Sequence, residues 1–548
     1  MFPPWHGGAR GDFILKNPPP SPFSKGGRCP LKVDFAAGFS LHFQLKAGSG
    51  GDQGAGALQP KETLLNENAN PFHKVDAEVV ERLAAALGRT QVISDPEKTA
   101  AYSHDEFCLP DIACNPEVVV KPRSTEDVSA VLKLADELRI PVTPRGGATG
   151  LCGGCVPSRG GIVLSLEAMN RVLDIDKDNA MAVAEAGVTL KEFALAVEEA
   201  GFSFPPHPGD ESAMIGGLVA TNAGGSRAVK YGGIRQYVRG LEVVLPGGAV
   251  IRPGGKLIKS STGYNLLHLF IGSEGTLGVI TRATIQMLQP LRLTRSLVIP
   301  FADIASAIES VPPLLRGAAV PLALEFIERE VIEVTEKRLN KRWPCAMGKT
   351  YLLVILDAPD EVTMDKLSSD VADVCLAGGG LEVFIADTAK QQDQVLEIRS
   401  KIYDALKSQT VEILDISLPR AEIARHVNRV AEFEREYGLW LPTFGHAGDG
   451  NVHTHIMKAR FEAGELIPVP ESEWRPKFDL VRRALYDDCR ARGGVISGEH
   501  GIGLVKKGHL LACLGRDQVE LMRGLKRVFD PRGILNPDKV FDESSSTV

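Results

Sequence analysis

Residues 146–154 read Gly-Gly-Ala-Thr-Gly-Leu-Cys-Gly-Gly, and their flanks restrict the fold more than any other stretch of the chain. Before them, Pro141-Val142-Thr143-Pro144-Arg145 reads as a short strand. After them, Gly160-Gly161 leads into Ile162-Val163-Leu164-Ser165-Leu166, an apolar β run. Consecutive small residues let backbone N–H groups converge on an anion, an approach that Cβ atoms would block. A dinucleotide fingerprint of the doubly wound kind would open a helix at this point. Here strand passes to strand, which disfavours a nicotinamide cofactor on such a fold.

Two further clusters repeat the pattern. Pro208-Gly209-Asp210-Glu211-Ser212 runs on to Ile215-Gly216-Gly217 and Thr221-Asn222-Ala223-Gly224-Gly225. Gly272-Ser273-Glu274-Gly275-Thr276-Leu277-Gly278 precedes Val279-Ile280-Thr281. One glycine loop is usually a turn. Three between residues 146 and 278, rich in Ser, Thr and Asn donors, point to a long polyphosphate ligand lying across the domain.

The 548 residues allow two to four domains at ~100–200 residues each. A formal net charge of −7 argues against nucleic acid as a partner, because such binders carry a basic domain or stripe. No apolar run approaches the ~18 residues of a membrane-spanning helix; Leu352–Leu356 is strand-sized. Nine scattered cysteines argue against a secreted disulfide framework and for a reducing cytoplasm. Peripheral attachment to an inner-membrane partner is compatible with that location. Residues 1–75 read as a disordered extension: residues 1–30 alone hold seven Pro and five Gly, and no apolar run follows a basic start as in a secretory signal. The remainder divides at changes in glycine content into 76–290, 291–440 and 441–543. A helix is expected after Asp76, with Val79, Val80, Leu83 and Leu87 on one stripe and Gly88 ending it. Another is expected after Ser124-Thr125, with Val128, Val131, Leu132, Ala135 and Leu138 as its apolar face.

The segment 445–455, Gly-His-Ala-Gly-Asp-Gly-Asn-Val-His-Thr-His, carries the clearest chemistry. Asp-Gly between apolar runs is a two-residue hairpin signal. With Asp449-Gly450 at the tip, His446 faces His453, and opposed side chains on one face have Cβ atoms ~4.5–5.5 Å apart. Two imidazoles at that separation can chelate one metal ion, with His455 as a spare. The competing reading is a pair of core histidines. Ser497-Gly498-Glu499-His500-Gly501 adds a carboxylate and an imidazole that point to opposite sides in extended backbone, so Glu499 can ligate a metal while His500 faces another group. The competing reading there is a plain surface loop.

Arg145-Gly146-Gly147-Ala148-Thr149-Gly150, Ile215-Gly216-Gly217 with Thr221–Gly225, and Gly272–Gly278 together resemble the FAD domain of the vanillyl-alcohol-oxidase type. The resemblance implies an α+β protein: an FAD-binding domain of two α/β subdomains over 76–290 and an α+β substrate or cap domain with an antiparallel sheet over 291–440. The segment 441–543 would return to the FAD domain with the metal and catalytic motifs. It implies that the first loop, through Arg145–Gly150 and Gly154, cradles the FAD pyrophosphate. Pro208, Ser212, Gly216, Gly217, Asn222, Gly224, Gly225, Glu274, Gly275, Gly278, Ile280 and Asn536 would line the rest of the cofactor. Covalent members often carry a His beside the first glycine pair; Ala148 and Thr149 stand there, so non-covalent FAD is expected. Cys152 and Cys155 spell C-x-x-C inside this loop, where a packing role is favoured over redox exchange.

His446-x-Gly-Asp-Gly-Asn-x-His453, Ser497-Gly-Glu-His-Gly501 and Asn536-Pro537-Asp538-Lys539 resemble FAD-dependent D-2-hydroxyacid dehydrogenases, which include D-lactate dehydrogenases and the flavin subunit of glycolate oxidase. The resemblance implies that His446, His453 and Glu499 hold a divalent metal, zinc or manganese, and that His500 is the catalytic base. Arg399 is the nearest match to the Arg that pairs with the substrate carboxylate. Relatives specific for 2-hydroxyglutarate carry a Lys shortly before the segment that here begins at Asp415; this chain has Glu412-Ile413-Leu414. With no C-x₂-C-x₂-C run for an iron–sulfur cluster, the expected electron acceptor is a quinone, a cytochrome, an electron-transfer flavoprotein or a separate iron–sulfur subunit. Two other readings are an FAD-domain synthase of the alkyl-dihydroxyacetone-phosphate type and a non-catalytic flavin subunit.

Overall fold

The computed structural model describes residues 71–206, 208–290, 293–317 and 320–542. The expected extension therefore lies almost wholly outside the described residues. Ordered chain is present by Phe72 and Val75, which pack beside the core cluster of Leu83, Val118 and Ile162. The Val75 N–H also donates to Glu117 Oε2 at 2.6 Å.

The two helices read from the sequence form at Ala77–Leu87 and Thr125–Leu138. Asp76 accepts from the Val79 N–H and Ser124 from the Asp127 N–H, each filling one of the open donors of a first turn. The second helix packs on a four-stranded sheet ordered Val92–Ile93, Val118–Val120, Ile162–Ser165, Val142–Arg145. Its last two strands run parallel, with Val142 opposite Ile162, although no helix joins them. The glycine loop 146–161 makes the crossover itself, as the flanking β runs required.

A five-stranded antiparallel sheet follows, ordered Val172–Asp176, Met181–Glu185, Val279–Gln286, Val238–Val244, Val250–Ile251. The second glycine cluster is not loop throughout: Ile215–Thr221 is a short helix. Gly216 allows this because a Cβ there would lie 2.6 Å from that of Ala186, so the helix touches the turn after the strand Met181–Glu185 at the glycine.

The third sheet has seven antiparallel strands, ordered Phe384–Ala386, Leu293–Phe301, Thr350–Ala358, Ala323–Glu328, Thr443–His446, Asn451–Met457, Thr410–Ser417. Alternation splits its faces. Leu352, Val354 and Leu356 join a core against helices that include Ile423–Tyr437 and Glu471–Ala491, while Tyr351 and Leu353 join a second core on the opposite face. The histidine hairpin forms two central strands of this sheet, so a division drawn at residue 440 passes between strands of one sheet. Among the described residues, no helix is long and apolar enough to cross a membrane.

Candidate active site

One cavity of about 1100 Å³ runs between the glycine loops and the second face of the seven-stranded sheet. Arg145, Gly146, Gly147, Ala148, Thr149, Gly150 and Gly154 line it from the first loop. Pro208, Ser212, Gly216, Gly217, Gly224 and Gly225 line it from the second cluster, and Glu274, Gly275, Gly278 and Ile280 from the third. A Cβ on Gly217 would meet no protein atom within 4 Å, so its backbone is open to a ligand. This is the bare-backbone surface that a pyrophosphate needs, and the residues present fit FAD.

Three of the expected cofactor residues make structural contacts, and of these only Arg145 lines the cavity. The Arg145 guanidinium donates to the His104 carbonyl at 2.7 Å and lies over the Tyr102 ring, which pins the loop from outside. Asn536 is buried away from the cavity and donates from Nδ2 to the carbonyls of Gly154 and Glu274, tying the first loop to the third. Asn222 caps the short helix in the left-handed region with φ 54° and is not part of the cavity wall.

The hairpin turns differently from the two-residue reading. His446 pairs with Asn451 and Phe444 with His453, so four residues, 447–450, form the turn. The register differs from expectation by two residues, which preserves the face of every side chain. His446 and His453 are therefore diagonal neighbours, with ring centroids 5.2 Å apart. Glu499 reaches between them: its Oε1 lies 3.5 Å from His446 Nε2 and 3.6 Å from His453 Nε2. Those separations are long for hydrogen bonds. They match donors sharing one cation, since ligand atoms ~2.1 Å from a tetrahedral metal sit about 3.4 Å apart. The two imidazoles and one carboxylate fit a divalent metal. His455 is not in this group: its Nδ1 meets Thr410 Oγ1 at 3.1 Å and its ring lies against Phe444.

Two buried carboxylates that sequence reasoning did not single out support the histidines. Glu325, directly across the sheet from His446, places Oε1 2.6 Å from His446 Nδ1 and accepts from Arg399 Nε at 2.9 Å through Oε2. Burial opposes charge on Glu325, but His446 and Arg399 outweigh it and hold the carboxyl at about 2. Burial likewise opposes charge on His446, and the carboxylates of Glu325 and Glu499 hold its imidazole well above the usual range. His453 has no such direct partner; burial and neighbouring His446 push it down to about 3. Asp415 lies 3.7 Å from His453 Nδ1 and 3.9 Å from His500 Nδ1. Asp415, His453 and His500 also cluster. Yet Asp415 Oδ2 already accepts from Ser497 Oγ and from the N–H groups of Gly498, Glu499 and His500 at 2.8–2.9 Å, so its lone pairs are committed. The available signal was an acid flanked by apolar residues within a strand, at Glu325 and again at Asp415.

His500 stacks on His453 with ring centroids 5.4 Å apart, and burial lowers its pKa. Arg399 lines the same cavity, half-shielded over the Phe444 ring, and its NH1 has no protein partner among the described residues. Gly224 joins the two ends of the cavity: a Cβ there would lie 2.8 Å from Glu499 Oε2, so the glycine cradle reaches the histidine cluster. Cys152 and Cys155 are free thiols; Cys152 donates to the His500 carbonyl at 3.1 Å, and burial pushes Cys155 up to about 11.

Residues 116–254 match the FAD binding domain family, and residues 291–540 match the family described as FAD linked oxidases, C-terminal domain. A D-lactate dehydrogenase of Archaeoglobus fulgidus is 46% identical, covering 80% of this chain and 95% of its own length. The glycolate oxidase subunit GlcD of Bacillus subtilis is 34% identical, covering 85% of this chain and 97% of its own. In fold, the chain is similar to p-cresol methylhydroxylase with substrate bound, at a TM-score of 0.69 and 19% identity over 86% of this chain and 98% of that one. The chain belongs to the FAD-linked oxidases, FAD-binding oxidoreductases with the fold of the vanillyl-alcohol-oxidase type.

Proposed function

We propose that the protein oxidises a small D-2-hydroxy acid of the D-lactate or glycolate class to its 2-oxo acid. The observation that carries this reading is the convergence of His446, His453, Glu499, His500 and Arg399 on the cavity that also holds the glycine cradle. When bound, FAD supplies a hydride acceptor at N5, and a zinc or manganese ion held by His446, His453 and Glu499 supplies a Lewis acid for the substrate hydroxyl. Arg399 receives the substrate carboxylate on its open NH1 edge, with Glu325 fixing the rest of the guanidinium. His500 is the general base. The Asp415 carboxylate behind Nδ1 favours a proton on that atom, which leaves Nε2 to accept the hydroxyl proton.

The cavity wall supports a small substrate. Of the residues standing where 2-hydroxyglutarate-specific relatives carry a Lys, Ile413 lines the cavity and offers no charge. Glu412 is buried against Arg482 and Tyr486. The intact donor set disfavours the synthase-type and non-catalytic readings. Electrons then pass to a non-nicotinamide acceptor: a quinone, cytochrome, electron-transfer flavoprotein or separate iron–sulfur subunit.

The test is an anaerobic titration with D-lactate, L-lactate, glycolate and D-2-hydroxyglutarate while the flavin absorption is recorded. Bleaching by D-lactate or glycolate is expected. A flavin band that none of the four acids bleaches would sink the proposal.

A further inference from the structure

The segment 497–505 carries both Glu499 and His500 without helix or strand of its own, so something else must hold it. Two carboxylates grip it from opposite sides. From the seven-stranded sheet, Asp415 accepts the N–H groups of Gly498, Glu499 and His500. From the flavin side, Glu274 Oε1 accepts the Ile502 N–H at 2.7 Å and Oε2 accepts the Gly503 N–H at 2.8 Å. Gly501 lies between the two grips with φ 86°, and a Cβ there would come 3.1 Å from the Glu274 carboxyl carbon. Beyond Gly503, the Cys152 carbonyl accepts the Leu504 N–H at 2.9 Å.

Glu274 reaches this position at a cost. Its φ of 51° puts a Cβ-bearing residue in the left-handed region, next to Gly275 at φ 69°. Such a conformation is strained for an L-residue and persists only where the surroundings demand it. Glycine would suit the backbone better, so what the site requires from Glu274 is its carboxylate. Both oxygens of that carboxylate are engaged by the catalytic loop. The backbone of the same residue is tied to the cofactor side through the Ala220 carbonyl and the Asn536 amide.

We infer that Glu274 is a positioning residue for the catalytic loop, holding Glu499 and His500 in register with the glycine cradle, and not a side-chain ligand of FAD. The inference rests on the proposed roles of Glu499 and His500. It makes the third glycine loop a mechanical link: its backbone borders the cofactor while its one acidic side chain sets the height of the loop that carries the base.

Full-length flavoprotein and its Glu274→Gly and Glu274→Gln variants test this. Glu274→Gly keeps the left-handed backbone without strain, and Glu274→Gln keeps one acceptor oxygen and the side-chain volume. Hydrogen–deuterium exchange of peptides spanning 497–505 is read alongside flavin content and kcat. Expected for Glu274→Gly are flavin content within about twofold of the parent, exchange of that segment faster by about tenfold, and kcat lower by about 10–100-fold. Glu274→Gln should fall between the two. Unchanged exchange at 497–505 in Glu274→Gly would overturn the inference, as would flavin loss that leaves the loop protected. Exchange is read without substrate, so a parent protein inert toward every hydroxy acid would remove the functional reading while the positioning result stood.

Discussion

A single acid in the middle of a strand orients one of the proposed metal donors. Glu325 divides its two oxygens between His446 and Arg399, so one side chain orients both a proposed metal donor and the guanidinium proposed to receive substrate. Carboxylates behind metal-bound histidines are worth about 10–100-fold in metal affinity or activity. Glu325→Ala should therefore weaken zinc or manganese retention by about that factor and leave flavin content unchanged, as metal analysis after dialysis against a graded chelator would show. The proposed substrate size is testable at one residue. Ile413 presents an apolar wall where the resemblance would put a cation in hydroxyglutarate-specific relatives, so Ile413→Lys should raise the ratio of kcat/KM for D-2-hydroxyglutarate over D-lactate at least about tenfold, on the order of one charge-assisted hydrogen bond. An unchanged ratio in steady-state kinetics would show that the distal carboxylate is bound elsewhere. At this scale the sequence was legible where spacing repeats a pattern: His446, His453, Glu499 and His500 lie within short motifs. Glu325 and Asp415 act from distant strands. Nothing in their local sequence marks which imidazole they face.

Elements carry information that single positions do not. The Asp449-Gly450 dipeptide signals a turn, but the Gly450 N–H reaches back to the His446 carbonyl and makes the loop four residues long. Because strand parity is even under a two-residue slip, the histidines stayed on one face although their opposition became diagonal. Face is legible from alternation; register is not, because it depends on where Gly450 meets the Leu418 carbonyl across the sheet. The start of this hairpin is held by Glu328 at the end of the neighbouring strand, whose Oε2 accepts the Thr443 N–H at 2.8 Å. Burial, with nearby Glu434 and Glu330, raises the Glu328 carboxyl to about 8. Its folded-state pKa is therefore above the unfolded value of about 4.5, so its stabilising contribution is complete below that pH and is lost as pH rises through 8. Glu328→Gln keeps an acceptor for Thr443 without the ionisation. Its Tm should match the parent near pH 5 and exceed it by several degrees near pH 9, at roughly 1 °C per kcal/mol for a chain of this size. A constant Tm difference across that range in scanning calorimetry would refute the assignment.

Across the whole molecule, the cofactor cradle and the proposed metal donors are built by different parts of the chain. The cradle comes from loops and the short helix Ile215–Thr221 between residues 145 and 280, and the donors come from the hairpin and the 497–505 segment. They meet where Gly224 touches Glu499 and where Glu274 holds Ile502, a contact spanning 228 residues of sequence. Composition and motif order can announce that two sites exist; they do not fix a contact between residues so far apart, because closing so long a loop is decided by the packing of both units together. This construction has a consequence for ligand removal. Stripping the metal leaves every glycine of the cradle and its Asn536 brace in place, whereas removing FAD takes away a ligand that stabilises the fold by RT ln(1 + [L]/Kd), about 2.7 kcal/mol at 100-fold excess over Kd. Dialysis against a chelator should therefore leave the flavin absorption and Tm near those of the untreated protein while the rate of anaerobic bleaching by hydroxy acid falls at least about 100-fold, the scale of losing a Lewis acid at the reacting oxygen. Adding back zinc or manganese should restore the rate. If chelation instead released the flavin, the two sites would be one cooperative unit, and the grip of Glu274 and Asp415 on the catalytic loop would have to support cofactor binding as well as catalysis.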